Sequence, residues 1–90
     1  MPYISQDRRD KLDPAITALA ELISTDARAG DLNYSINKLL LLIQGEGRYK
    51  DLNELIGALE AAKLEFYRRK VAPYEDTKIQ ETGDLPEFNQ

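Results

Sequence analysis

A run of three cations in the C-terminal half is the stretch best suited to chemistry. It lies between two tyrosines, in the order Tyr67, Arg68, Arg69, Lys70 and then Tyr74. Arginine presents a planar fork of donors to phosphate or carboxylate, and a tyrosine ring stacks on a nucleobase. The two tyrosines are seven positions apart, so they share one face if a helix continues between them. This arrangement predicts a site for an anionic small molecule such as a nucleotide.

Three further features extend this candidate site. Pro73 favours the start of a new helix, whose free N–H groups and positive dipole end would face the anion. Lys78 adds a cation, and Tyr34 adds an aromatic ring, although a tyrosine there is also typical of a core or an interface. The predicted ligand-binding residues are therefore Arg68, Arg69, Lys70, Lys78, Tyr34, Tyr67 and Tyr74.

The same stretch also has a purely structural interpretation. Glu65 precedes Arg68 and Arg69 by three and four positions, the spacing at which helical side chains form ion pairs. Glu75 and Asp76 suit the first turn of a following helix, because carboxylates are favourable at its positive end. The basic cluster is thus either a ligand site or a set of helix-stabilising charges.

Composition excludes several classes of enzyme. The chain has no Cys and no His, which excludes zinc fingers, cysteine proteases, Ser-His-Asp hydrolases and HExxH enzymes. Asp51/Glu54 and Glu81/Asp84 have the spacing with which all-helical nucleotide pyrophosphohydrolases hold Mg²⁺, but other acidic pairs share it. Gly83 should also end the helix that would present the second pair. We therefore expect that the protein is not an enzyme and that it has no catalytic residue, metal or cofactor. A magnesium-dependent hydrolase is the weakest alternative.

The elements that position these residues are predicted to be helices. Ala, Leu and Ile supply 29 of the 90 residues, whereas Val occurs once and Trp not at all. We expect one all-α domain over residues 1–90, ordered over about residues 5–83 and followed by an extended or mobile tail. Its architecture should be a compact bundle of three to four helices, completed by oligomerisation, because so short a chain buries only about 60–65% of its unfolded surface.

Capping and proline signals place the helix boundaries. The predicted helices cover Gln6 to Leu12 after Ser5, Pro14 to about Thr25 after Asp13, and Leu32 to Gln44 after an N-cap at Asp31. Gly45-Glu46-Gly47 ends the third helix, and it matches no phosphate-binding glycine motif. The longest helix runs from Tyr49 or Asp51 to about Val71, and after a kink or short break at Pro73 another runs to about Thr82.

Apolar residues on two of these helices predict contact with a second copy. The third predicted helix ends in Leu39-Leu40-Leu41-Leu42-Ile43, which is apolar around most of its circumference and hence buried on several sides. This fits either a subunit interface or the central helix of a monomeric bundle. Gly57, Ala58, Ala61 and Ala62 form a small-residue patch that allows close approach of another helix.

Charge and hydropathy narrow the partners and the location. A net charge of −4 argues against binding of long nucleic acids, which needs a basic surface. No apolar run approaches the ~20 residues of a membrane span, and the N-terminus lacks the pattern of a secretory signal. We therefore expect a cytoplasmic protein with no membrane partner.

Several blocks together resemble a family of short phage and bacterial proteins of unknown function. The resemblance spans about residues 2–84, and its most specific block is Glu65-Phe66-Tyr67-Arg68-Arg69 followed by Pro73-Tyr74-Glu75-Asp76. The family pattern has Asn-Gly-Asp where this chain has Thr82-Gly83-Asp84. Further matching blocks are Leu32-Asn33-Tyr34, Ile56-Gly57-Ala58-Leu59-Glu60 and Thr77-Lys78-Ile79.

The resemblance implies a small phage-type protein, which would act in the host cytoplasm. Such proteins often act on host defence or host enzymes, and some small helical oligomers among them sequester signalling nucleotides. The first functional hypothesis is thus an oligomeric anti-defence protein that sequesters an anionic small molecule. The alternative is a helical interaction module that inhibits or scaffolds a host or phage protein, through the Leu39–Ile43 run and the Gly57/Ala61 face.

Overall fold

The computed structural model describes residues 4–89, and every regular element in this range is helical. Helix α1 spans Gln6–Leu22, α2 Arg28–Ile43, α3 Tyr49–Phe66 and α4 Ala72–Thr82. A π-helical turn, Tyr67–Val71, joins α3 to α4, and a 3₁₀ turn follows at Pro86–Asn89. The all-α class predicted from composition is therefore confirmed.

The chain divides into two units. The first covers residues 1–51 and contains α1 and α2. The second covers residues 52–90 and contains most of α3 together with the π turn, α4 and the 3₁₀ turn.

None of the residues from 4 to 89 is buried, so the described part of the chain has no enclosed core. Apolar side chains that would form a core remain exposed: 59% of Ile16, 55% of Leu39 and 61% of Ile56 are accessible. The amphipathic pattern predicted from the sequence is present, but no residue from 4 to 89 is enclosed by other elements. The compact bundle stays a prediction.

Helix α1 passes through Pro14 without interruption. It begins where Ser5 Oγ accepts a hydrogen bond from the backbone N–H of Arg8 at 3.3 Å, and it continues to Leu22. The predicted division at Asp13-Pro14 is therefore wrong. Proline removes its own N–H and its ring crowds the carbonyl four residues earlier, but its φ is already helical, so the strong helix formers on both sides carry the helix across this local cost.

The start of α2 also differs from the prediction. Its N-cap is Ala27, and the backbone N–H of Asp31 bonds to the Ala27 carbonyl at 2.9 Å, inside the helix. The predicted N-cap at Asp31 is wrong, because its Oδ2 instead accepts from the backbone N–H of Ser24 at 2.8 Å. The carboxylate thus stabilises the connection between α1 and α2.

The turn after α2 has the helix-ending role predicted for its glycines. Gly45 and Gly47 have φ of 67° and 71°, a left-handed conformation that glycine adopts without a steric cost. The Gly47 N–H donates to the Gln44 carbonyl at 3.2 Å. Asp51 Oδ2 then accepts from the Arg48 N–H at 3.2 Å and caps the start of α3.

Candidate functional site

A proline creates the π turn between α3 and α4. In a regular α-helix the residue at position 73 would donate its N–H to the carbonyl of Arg69, but Pro73 has no N–H and its ring collides with that carbonyl. The backbone widens instead, and the N–H of Ala72 donates to the carbonyl of Tyr67, five residues earlier. The helical backbone is therefore continuous at Pro73, where the sequence predicts a kink or a short break.

This continuity removes one part of the predicted anion site. An anion-binding helix end needs backbone N–H groups without intrahelical partners. The Ala72 N–H at the beginning of α4 is already bonded to Tyr67. The predicted anion site at the N-terminus of a new helix is therefore wrong.

The basic cluster is paired within its own helix. Glu65 lies 3.1 Å from Arg68 and 3.3 Å from Arg69, as measured between carboxylate oxygens and guanidinium nitrogens. Its side chain is only 18% exposed. The ion pairs predicted for Glu65 are therefore confirmed. Lys70 makes no ion pair with any residue from 4 to 89.

A groove of about 590 Å³ lies in the second unit, and we call it the C-terminal groove. It follows one side of α4 from the π turn to the 3₁₀ turn. Its walls combine aromatic, aliphatic and acidic side chains. The lining residues are Tyr67, Ala72, Tyr74, Glu75, Asp76, Lys78, Ile79, Thr82, Asp84 and Phe88.

Residues after α4 close one end of the groove. Gly83 has φ of 91°, which lets the chain turn away from the helix, and its N–H donates to the Ile79 carbonyl at 2.8 Å. The following 3₁₀ turn, in which the Phe88 N–H donates to the Leu85 carbonyl at 3.1 Å, places Phe88 at the groove. The predicted helix end at Gly83 is confirmed. The extended conformation predicted for the tail is wrong for Pro86–Asn89, which forms the 3₁₀ turn, and Gln90 lies outside the described residues.

A hydrogen bond across the π turn joins two groove residues. The Tyr67 hydroxyl donates to Glu75 Oε1 at 2.7 Å. This bond and the negative charge of Glu75 raise the pKa of Tyr67 above the ordinary value of 10.0. The phenol is therefore a proton donor to the carboxylate at neutral pH, and it is unsuited to act as a nucleophile or a base.

A cation already lies over one ring of the groove. Lys78 Nζ is 5.6 Å from the centroid of the Tyr74 ring, which is within the range of a cation–π interaction. The same ammonium group pairs with Glu81 Oε2 at 3.3 Å. Lys78 is therefore engaged with its own helix rather than directed to a phosphate.

The structure brings together only part of the predicted ligand set. Tyr67, Tyr74 and Lys78 line the C-terminal groove. The other predicted residues, Arg68, Arg69, Lys70 and Tyr34, do not line it. Tyr34 belongs to α2 in the first unit, where its side chain is exposed.

The C-terminal groove is acidic, whereas the sequence predicts a site for an anion in this region. Among the described residues, three carboxylates line it, those of Glu75, Asp76 and Asp84, and the one lining cation is Lys78. A phosphate would meet like charges there, whereas a cation would be favoured. The sequence explains Glu75 and Asp76 only as carboxylates that stabilise the positive end of a helix. Asp84 and Phe88 reach the groove through a turn that no sequence motif predicts.

Among the residues that the structure describes, no group of three or more carboxylates is arranged to hold a metal ion. Within residues 4–89, none of the helices combines the length and the apolar character required to cross a membrane.

The part of the chain that the structure describes is thus all-helical, and none of its residues is enclosed in a core. The chain belongs to a family described as a domain of unknown function (DUF6899), whose model matches residues 1–85. No curated protein and no solved structure matches the chain. The predicted membership of a family of unknown function is confirmed.

Proposed function

We propose that this protein is a helical interaction module that assembles with further copies of itself and then inhibits or scaffolds another protein. The observation that carries the proposal is the absence of any buried residue from 4 to 89 in a chain with many large apolar side chains. An exposed apolar face on a helix is typical of a surface against which another helix packs. No catalytic step is part of this proposal.

Apolar residues of the helices, most of them exposed, follow a pattern suited to helix pairing. On α2, Leu32, Ile36, Leu39 and Ile43 succeed one another at intervals of four, three and four residues. Residues at these intervals form one stripe along a helix, the seam by which helices pack side by side. We call these four residues the α2 stripe. The same alternation of four and three occurs in α1 and α3, at Leu12, Ile16 and Leu19 and at Leu52, Leu55, Leu59, Ala62 and Phe66.

The apolar stripes favour a second copy as their occupant. Leu32, Leu39 and Ile43 of the α2 stripe are each more than half exposed in a single chain. Stripes with one shared spacing are complementary to each other, as a symmetric interface requires.

Sedimentation velocity and thermal unfolding over a wide concentration range test this proposal. We expect a discrete species heavier than the 10.2 kDa monomer and a melting temperature that rises with concentration, because association stabilises the folded state. A cooperative monomer with the same melting temperature at every concentration would show that no second copy is needed. A monomer that becomes stable only with a different protein would assign the stripes to that partner.

A second candidate function, nucleotide sequestration, is favoured by the geometry around Glu65. Two guanidinium groups converge on this one carboxylate, which is the arrangement that also holds a phosphate. Lys70 follows them directly. A nucleotide phosphate would have to displace Glu65 from Arg68 and Arg69, and the acidic C-terminal groove would not contribute.

Titration with fluorescently labelled ATP tests the second candidate. Changing Arg68 and Arg69 together to Ala should abolish binding with helicity unchanged, and Glu65→Gln should tighten binding by removing the competing carboxylate. The matched control changes Arg8 and Lys11 to Ala, which removes the same charge from α1. Equal losses in both double variants would indicate nonspecific attraction, and loss of helicity in the first would assign the cluster a structural role.

A further inference from the structure

We propose that the C-terminal groove binds an arginine side chain presented by a peptide segment of a partner protein. This inference goes beyond the proposed self-association, because it rests on the groove of the second unit and not on the apolar stripes. It gives the interaction module a recognition site of defined chemistry.

The walls of the groove match a guanidinium group. Tyr67, Tyr74 and Phe88 supply ring faces, and Glu75 and Asp76 supply carboxylates beside them. Guanidinium is planar, so it can lie flat on a ring while its edge donates to a carboxylate. A phosphate or carboxylate ligand is an anion that accepts hydrogen bonds and donates none, so the carboxylates of the groove would repel it.

The carboxylates of the groove retain free acceptor atoms. Glu75 uses Oε1 for the hydroxyl of Tyr67, and its Oε2 has no hydrogen-bond partner among residues 4–89. The Asp76 carboxylate makes no hydrogen bond and no ion pair with any residue in that range. The bond from Tyr67 holds Glu75 in one orientation, so the acceptor is positioned before a ligand arrives.

The position of Lys78 shows that one ring of the groove interacts with a cation. Its ammonium lies 5.6 Å from the centre of the Tyr74 ring and pairs with Glu81, which does not line the groove. The groove thus already places one cation over an aromatic face, and the remaining acidic groups leave a net negative charge for another. A guanidinium can occupy a second ring without displacing Lys78.

The openness of the site favours a peptide over a free small molecule. A site for a small ligand encloses most of the ligand surface. Here 63% of Tyr74 and 77% of Phe88 are exposed, so these rings form the sides of an open groove. Such a groove holds one side chain while the peptide backbone remains outside.

Nuclear magnetic resonance titration of the full chain with two short peptides tests the proposal. One peptide is acetyl-Gly-Ser-Arg-Ser-Gly-amide, and the other has citrulline, which is uncharged and of nearly the same shape, in place of arginine. We expect the arginine peptide to shift the backbone amide signals of Glu75, Asp84 and Phe88, and the citrulline peptide to leave them unchanged. Equal shifts from both peptides, or none from either, would overturn the proposal.

Variants separate groove recognition from general attraction. Changing Glu75 to Gln and Asp76 to Asn together should weaken arginine-peptide binding about tenfold, the effect of two charge-assisted contacts at an open site. The control changes Glu54 and Glu60 to Gln, which removes the same charge from α3. A loss of the same size in the control would overturn the proposal.

Two further measurements exclude a purely structural effect and a different ligand. Tyr67→Phe removes the hydrogen bond to Glu75 but keeps the ring and the carboxylate, so it should retain binding within about threefold, the limit for an exposed contact. Loss of all binding in this variant would contradict a direct role for the carboxylate. Methylguanidinium should bind more weakly than the peptide, and equal affinity would assign the groove to small cations.

Discussion

Replacing one leucine of α2 by asparagine tests whether the α2 stripe forms the contact between copies. Leu39 lies in the middle of the stripe, and 55% of it is exposed in a single chain. Leu41 is 63% exposed and lies on the opposite side of α2, since two residues turn a helix by about 200°. Leu39→Asn and Leu41→Asn are therefore matched in chemistry, in helix and in helix propensity.

The expected effect follows from the area that remains to be buried. Complete burial of a leucine side chain contributes about 1.5–3 kcal/mol, so the exposed half of Leu39 would add about 1 kcal/mol per copy on association. An asparagine amide buried without partners costs about 1 kcal/mol more. A symmetric dimer contains the position twice, so the total of about 4 kcal/mol raises the dissociation constant about a thousandfold.

Sedimentation equilibrium of wild type, Leu39→Asn and Leu41→Asn gives the three dissociation constants under the same conditions. Circular dichroism at high protein concentration shows whether each variant keeps its helices. We expect a large increase for Leu39→Asn and a change of less than about tenfold for Leu41→Asn, which loses little burial. Equal changes in the two variants, or no change in the first, would refute the assignment of the interface to the α2 stripe.

Three further perturbations address the π turn and the groove. The pKa of Tyr67 is raised by its bond to Glu75, so this contribution to stability is present at neutral pH and is lost as the pH rises through that elevated pKa. Spectrophotometric titration should show one phenol that ionises late, and Tyr67→Phe should remove it. Pro73→Ala supplies the missing N–H for the Arg69 carbonyl, so the π turn should become α-helical, the late phenol should disappear, and the free energy of unfolding should rise by up to about 3 kcal/mol. Gly83→Ala places a Cβ at φ of 91°, and thermal unfolding should show a loss of about 1 kcal/mol from backbone strain alone, because no atom lies within 4 Å of the new Cβ.

Local interactions were predictable because their partners are neighbours along the chain. Glu65 pairs with Arg68 and Arg69 as the three- and four-residue spacing predicts. Gly83 ends α4 as expected, with a positive φ. In such cases the sequence separation determines the distance, so no knowledge of the rest of the fold is needed.

Prolines and a capping residue show where local rules are insufficient. Pro14 and Pro73 both lie within continuous helix, although the sequence predicts that a helix starts at each of them. A proline removes one hydrogen bond in either situation, and the flanking residues decide whether the helix continues or widens. Asp31 likewise had two possible donors, and it accepts from Ser24 in the preceding connection rather than capping its own helix.

The candidate site was only partly visible in the sequence. The spacing of Tyr67 and Tyr74 predicts that they share one face of a continuous helix, and both line the C-terminal groove. The acidic character of the groove was missed, because Asp84 and Phe88 join it through the turn after Gly83. Their contribution depends on the path of the chain after α4, which no periodicity encodes.

The sequence by itself determined the all-helical class, the family and the amphipathic stripes, since each depends on composition or on spacing within one element. Only the tertiary structure decided that one chain leaves those stripes uncovered and that a groove lined by rings and carboxylates forms beside α4. The physical reason is that burial and groove charge depend on which elements meet in space. A helix carries the same apolar pattern whether its partner lies in its own chain or in another copy.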